Sequence, residues 1–282
     1  MTITVSAPAT TANLGPGYDC IALALQPRCR VAAESAPDWR VEHVGSHVPP
    51  DGAVDAVLEA ARTVTSGPLS LVVDNEIPIG KGLGSSAAAL VAGVAVALVA
   101  EGRVDKSDVF RLASEIEGHS DQVAAATFGG LILISSNGVP LSLGLHPDLR
   151  VLVAVPDEVL STGHAREAVP TGLPLDLVVR SLSRMSALTA GLVTGDRHFL
   201  AAATGDEIHE KPRAPLSPVV TELIDIALEA GAWHAFRSGA GPSVVALTND
   251  SGLERVRHAF LASGLEVLDG PIDDDGLRIT RT

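Results

Sequence analysis

Between Leu69 and Ala100 the hydrophobic pattern of the chain changes period. Leu69, Leu71, Val72 and Val73 make a short apolar run of strand length, and beyond a glycine-rich stretch the segment Ala87–Val99 is apolar and small on every side. The first pattern predicts a strand and the second a helix buried all round. Further strand-like runs fall at Ile3–Ala7, Leu131–Ser135, Arg150–Val155 and Ser243–Thr248. Helical spacing with one polar face marks Val54–Val64, Ser85–Ala100, Lys106–Glu117, Pro174–Thr194, Pro218–Glu229 and Leu253–Ser263, several beginning at Ser, Asp or Pro. The mixture predicts an α+β chain. A break is expected at the His146-Pro-Asp turn within Leu145–Leu149, dividing residues 1–147 from 148–282.

Composition narrows the class. A chain of 282 residues with 46% hydrophobic content has enough apolar side chains for one large core or two modest ones. The formal charge of −14, without a Lys/Arg cluster, argues against a nucleic-acid partner. Cys20 and Cys29 are the only cysteines and their separation fits no zinc pattern, so a reduced, cytoplasmic setting is expected. No basic segment followed by an apolar one opens the chain. The run Ala87–Ala100 falls short of the roughly twenty residues that cross a bilayer, so no membrane partner is expected.

The chemistry is concentrated in Pro78-Ile-Gly-Lys-Gly-Leu-Gly-Ser-Ser-Ala-Ala88, between the predicted strand and helix. Gly80, Gly82 and Gly84 permit left-handed backbone and close approach, so several N–H groups can point at one anion beside the positive end of a helix dipole. Ser85 and Ser86 add hydroxyls. The Walker pattern needs Lys-Ser or Lys-Thr after the last glycine, whereas Lys81 sits inside this loop. The candidate phosphate cradle comprises Pro78, Gly80, Lys81, Gly82, Leu83, Gly84, Ser85, Ser86 and Ala87.

This segment resembles the ATP-binding motif of the GHMP small-molecule kinases. Ala7-Pro-Ala-Thr-Thr-Ala-Asn-Leu-Gly-Pro-Gly-Tyr-Asp19 resembles the family's first motif in its homoserine kinase form, and Ser238-Gly-Ala-Gly-Pro-Ser243 resembles the third. The resemblance implies a ribosomal-protein-S5-like N-terminal domain, a ferredoxin-like C-terminal domain and an active site in the cleft between them. It also implies ATP and Mg²⁺ as cofactors, L-homoserine as the small-molecule substrate and a homodimer. A kinase for another small hydroxylated acid or amino acid, and an inactive metabolite-binding relative, stay open as alternatives.

The same resemblance distributes roles. Glu117-Gly-His-Ser-Asp-Gln122 is similar to the homoserine kinase segment Glu-Gly-His-Pro-Asp-Asn, whose upstream helix supplies the magnesium glutamate. Glu115 is the first choice for that ligand and Glu117 the second, with Ser86 completing the metal site; alternatively, Glu115 merely pairs with Arg111 one turn back. Gln122 stands where mevalonate kinases carry a catalytic aspartate, and an amide is no general base, so the acceptor proton is expected to pass to the phosphate itself. Asp121 is the alternative base. Leu160-Ser-Thr-Gly-His-Ala-Arg166 and Asp206-Glu-Ile-His-Glu-Lys-Pro-Arg213 are similar to two further homoserine kinase motifs. They nominate Thr162, Arg166 and Arg213, the two guanidinium forks suiting a planar carboxylate. Asn13, Asp19 and His119 are expected to face the amino group and the rest of the acceptor.

Overall fold

The computed structural model describes residues 2–103, 105–270 and 272–281, and its strands form two sheets. The first is built on the antiparallel pair β1 (Ile3–Ala12) and β2 (Ile21–Ser35), with a bulge between Pro8 and Ala9. Proline cannot donate to a ladder, and the irregularity falls where Pro8 meets the Gln26-Pro27 stretch of the partner. On one side of β2, β3 (Arg40–His43) lies parallel to β4 (Leu69–Asn75). The opening residues of β2 also pair with β5 (Leu131–Ile134), which carries β6 (Pro140–Leu143).

Four helices serve this sheet: α1 (Ala56–Val64), α2 (Ser85–Ala100), α3 (Lys106–Glu117) and α4 (Asp121–Phe128). Helix α2 packs on β1 and β2 and is surrounded by the other three, which is why every residue from Leu90 to Val99 is buried. Each buried valine or leucine contributes about 1.5–3 kcal/mol. That burial pins the start of α2, and with it the glycine loop, against β1.

After β6 the chain enters β7 (Arg150–Val155), then passes through α5 (Thr162–Glu167), α6 (Leu175–Thr194), α7 (Arg197–Ala203) and the short α8 (Glu210–Arg213). Helix α9 (Pro218–Glu229) leads to β8 (His234–Arg237) and β9 (Val244–Thr248); α10 (Asp250–Ala262) leads to β10 (Glu266–Asp269). These four strands form the second sheet, antiparallel throughout in the order β10-β7-β9-β8. Alternation along β7 and β9 divides the sheet between two cores. Val151, Val153, Val155, Val245 and Leu247 join the core of the first sheet, whereas Leu152, Ala154, Val244 and Ala246 pack under α9 and α10.

The last strand, β11 (Arg278–Arg281), returns to the first sheet and pairs antiparallel with β1. Arg28, buried in β2, holds this tail: it pairs with Asp273 and donates to the carbonyls of Ser6 at 2.8 Å and Gly276 at 2.5 Å.

The α+β class is as expected, and the expected helices are present, α2, α3 and α9 with the expected bounds and the others with shifted ends. The helix expected from Leu253 begins at Asp250, because Asn249 caps it through a bond from the Gly252 amide. The fifteen-residue β2 was outside the expected strands. Its alanines, Pro27 and two arginines hide the pattern, and Arg28 is buried only because Asp273 comes back from the far end of the chain.

Removing one partner of a buried ion pair leaves the other charge uncompensated. Asp273→Ala should therefore destabilise the protein by about 3–5 kcal/mol, measured by urea unfolding. A loss below about 1 kcal/mol, the range of exposed pairs, would show that the tail is not held this way.

Candidate active site

Strand β4 delivers the chain to the glycine loop. The Asn75 side chain shapes the exit by donating to Ile77 O at 3.1 Å and His47 O at 3.2 Å while accepting from the Ile77 amide at 3.1 Å. Helix α2 then starts from Gly84, which is left-handed at φ 67° and gives no side-chain cap. The opening amides of α2 thus remain available to an anion.

The loop is held by backbone contact with two others. A Cβ at Gly82 would lie 2.2 Å from Ser238 O, and one at Gly84 would lie 1.9 Å from Thr10 Oγ1. Ser238 Oγ donates to Gly82 O at 2.7 Å, and the amides of Thr10 and Ser243 donate to Leu83 O at 3.0 Å and Lys81 O at 3.2 Å. The first and third loops meet directly: Gly239 N donates to Ala12 O at 3.2 Å, and Asn13 Nδ2 donates to Gly239 O at 3.3 Å. Segments far apart in sequence thereby close on one cavity of about 420 Å³.

Its lining combines the cradle with an apolar stretch containing Pro49, Pro50, Val54 and Val57, and with a charged group. In that group Arg166 binds Asp19 through both oxygens at 2.9 and 3.0 Å. Arg213 is buried, its Nε donating to Ala165 O at 2.7 Å and its Nη1 to His209 Nδ1 at 3.0 Å and Gly239 O at 3.3 Å. Both guanidiniums lie over the ring of Tyr18, at 6.0 Å for Arg166 and 5.4 Å for Arg213. Burial lowers the Arg213 pKa from its ordinary value. Nearby, the His119 pKa is raised first by the Asp121 carboxylate 3.5 Å away, against the effect of burial, and the Glu117 carboxyl is raised by burial.

The model for the GHMP kinases N terminal domain matches residues 50–130, and that for the GHMP kinases C terminal matches residues 190–265. A curated homoserine kinase from Thermus thermophilus is 41% identical, the match covering 85% of each chain. The chain belongs to the GHMP kinase family. A homoserine kinase from Rhodococcus erythropolis is 36% identical across 100% of this chain and 97% of its own. The crystal structure of a homoserine kinase from Cytophaga hutchinsonii superposes with a TM-score of 0.86 at 26% identity, covering 99% of this chain and 97% of that one.

In this GHMP kinase the cavity brings together most of the residues singled out from sequence. Asn13, Asp19, Pro78, Gly80, Gly82, Leu83, Gly84, Ser85, Ser86, His119, Asp121, Gln122, Thr162, Arg166 and Arg213 all line it. Ala87 does not; it is buried under the sheet as a core residue of α2. Lys81 is also absent from the lining.

The structure places Glu115, the first-choice metal candidate, away from the cavity. Its side chain is 63% exposed and pairs with Arg111 at 3.3 Å, outside the cavity. Glu117 lines the cavity instead, with Ser86 Oγ at 3.3 Å from its Oε2. Helix phase sets the two apart. Val109 and Ala113 are buried on α3 and Glu117 continues their four-residue spacing, while Glu115 is two residues out of step.

Sequence reasoning gave no role to Tyr18 or His209. His209 donates from Nε2 to Gly15 O at 2.7 Å and accepts from Arg213 at Nδ1, which fixes one neutral tautomer, and its ring stacks on Tyr18 at 5.2 Å. Burial holds its pKa below the ordinary value, in keeping with that tautomer. The four-residue spacing of His209 and Arg213 was the available signal.

Gly82→Ala should drive the glycine loop and the third motif loop apart. Left-handed backbone alone costs roughly 1–2 kcal/mol, and the Ser238 O contact adds to it. Binding of ADP, measured by calorimetry on the folded variant, should weaken by about tenfold or more; unchanged binding would mean that the loop contact does not shape the cradle.

Proposed function

We propose that the chain transfers the γ-phosphoryl group of ATP to the side-chain hydroxyl of L-homoserine, giving O-phospho-L-homoserine, a step of threonine biosynthesis. One observation carries this reading: in a chain related to named homoserine kinases, two arginines converge over Tyr18 in the cavity that holds a backbone phosphate cradle.

The cradle amides and the start of α2 receive the nucleotide phosphates. Ser86 and Glu117 fit a magnesium ion, which asks for oxygen ligands and keeps most of its waters. A half-buried carboxylate whose pKa is raised by lost hydration is one that a cation would hold ionised. When bound, Mg²⁺ supplies charge neutralisation on the phosphates.

At the acceptor end, Asp19 and Arg166 satisfy each other in a bidentate pair. A zwitterionic amino acid carries the same two charges, so its ammonium takes Asp19 and its carboxylate takes Arg166 and Arg213. Asn13, His119 and Thr162 complete the surroundings. The hydroxyl oxygen attacks the γ-phosphorus as the bond to the ADP bridging oxygen breaks, and its proton passes to a phosphoryl oxygen. Gln122 contributes hydrogen bonds and no base. Asp121 is 2% exposed, with its Oδ1 3.5 Å from His119 Nδ1, so it faces that imidazole. Two free cysteines support a reduced cytoplasm, and exposed Leu175, Val179 and Leu182 on one side of α6 support a second copy of the chain as partner.

An acceptor screen coupled to ADP release tests the reading: L-homoserine should be turned over and a neutral alcohol of similar length should not. Equal use of both removes the carboxylate clamp and the homoserine assignment together. Glu117→Gln should lower turnover at limiting Mg²⁺ more than Glu115→Gln, and the reverse order would return the metal to the solvent face of α3. Arg213→Ala should raise the homoserine KM by roughly one to two powers of ten, the equivalent of about 1.5–3 kcal/mol for a lost charge-assisted bond, while the Kd of ADP stays put. An unchanged KM excludes Arg213 from the clamp.

A further inference from the structure

A lysine inside a phosphate loop invites the assumption that it binds phosphate, but the geometry of Lys81 is already complete without one. Its Nζ lies 2.7 Å from Pro156 O, 2.5 Å from Asp157 O and 2.7 Å from Glu158 O. An ammonium has three donors, and these three carbonyls use them all. The carbonyls belong to consecutive residues following β7, in the other sheet, and point to one place. Without a cation between them their dipoles would repel, so the turn and the ammonium depend on each other.

We propose that Lys81 is a positioning residue that ties the phosphate loop to the Pro156–Glu158 turn and so sets the acceptor-binding start of α5. The contacts around it agree. The Leu160 amide donates to Gly80 O at 3.3 Å, and a Cβ at Gly80 would meet Val159 Cγ1 at 2.6 Å. From Leu160 the chain runs directly into Thr162 and Arg166, which line the cavity, and into Ala165, whose carbonyl accepts from Arg213. Lys81 therefore acts on the acceptor from the nucleotide side, through the backbone of a segment that belongs to the other half of the molecule. Serving as the link between cradle and acceptor clamp, it rests on the functional reading given above.

The test is Lys81→Met, with a cooperative thermal transition as the folding control and Lys81→Gln measured in the same way should methionine prevent folding. The homoserine KM should rise about tenfold or more, equivalent to about 1.4 kcal/mol, while the Kd of Mg–ADP, measured calorimetrically without homoserine, stays within about twofold. Cleavage after Glu158 by a glutamate-specific protease should accelerate, because the turn loses the cation that organises it. A tenfold weakening of ADP binding overturns the proposal by placing the ammonium on phosphate. An unchanged homoserine KM overturns it as well. Should the wild-type chain not phosphorylate homoserine, the functional reading fails by itself, and the ADP and protease measurements still decide whether Lys81 holds the turn.

Discussion

The approach of the Gly82 backbone to the Ser238 carbonyl is the constraint on which the site depends. At that separation no side chain fits, so the two loops touch main chain to main chain and bring β1 with them through Thr10 and Thr11. A cradle made of amides needs its donors held in place before an anion arrives, since each loop left to fluctuate would give back in ordering entropy what it gains in hydrogen bonds. Here the donors are fixed from behind. Helix α2 is buried on all sides, β1 is in mid-sheet, and the third loop is anchored between β8 and β9.

Charge tells a complementary story at the other end of the cavity. The chain as a whole is at −14, yet it aims Arg166 and Arg213 at one aromatic ring. Two cations this close repel, and the structure offsets that with Asp19 on one and with the neutral His209 nitrogen plus two carbonyls on the other. Discrimination follows from this arrangement more than affinity does. On the proposed reading, a ligand without a carboxylate gives Arg213 nothing in return for its lost hydration, whereas an anionic ligand restores what burial removed.

Much of this was legible in the sequence wherever the cause is local. The glycine loop, the run of small residues in α2 and the three motifs depend on neighbours within one or two turns. Glu117 also had a local signal in its four-residue spacing from Ala113. What escaped was long-range. Arg28 looks like a surface residue until Asp273 meets it, and β2 lacks a clean alternation because one stretch pairs with β1 and β4 and another with β1 and β5. Lys81 looks like a phosphate ligand because it sits inside the glycine loop; its actual partners come from a turn some seventy-five residues away. Tyr18 carries no motif signal for bringing two arginines together, since that is a fact of packing.

Strand β11 has a bearing on how the molecule comes into being. The strand that carries the first motif is flanked by β2 on one side and by residues Arg278–Arg281 on the other. As the chain emerges from the ribosome, β2 is made long before β11, so β1 waits with an open edge until residues Arg278–Arg281 follow. An uncovered edge of that kind invites pairing with other nascent chains. The ion pair between Arg28 and Asp273 holds the tail against β2 just ahead of that closing strand.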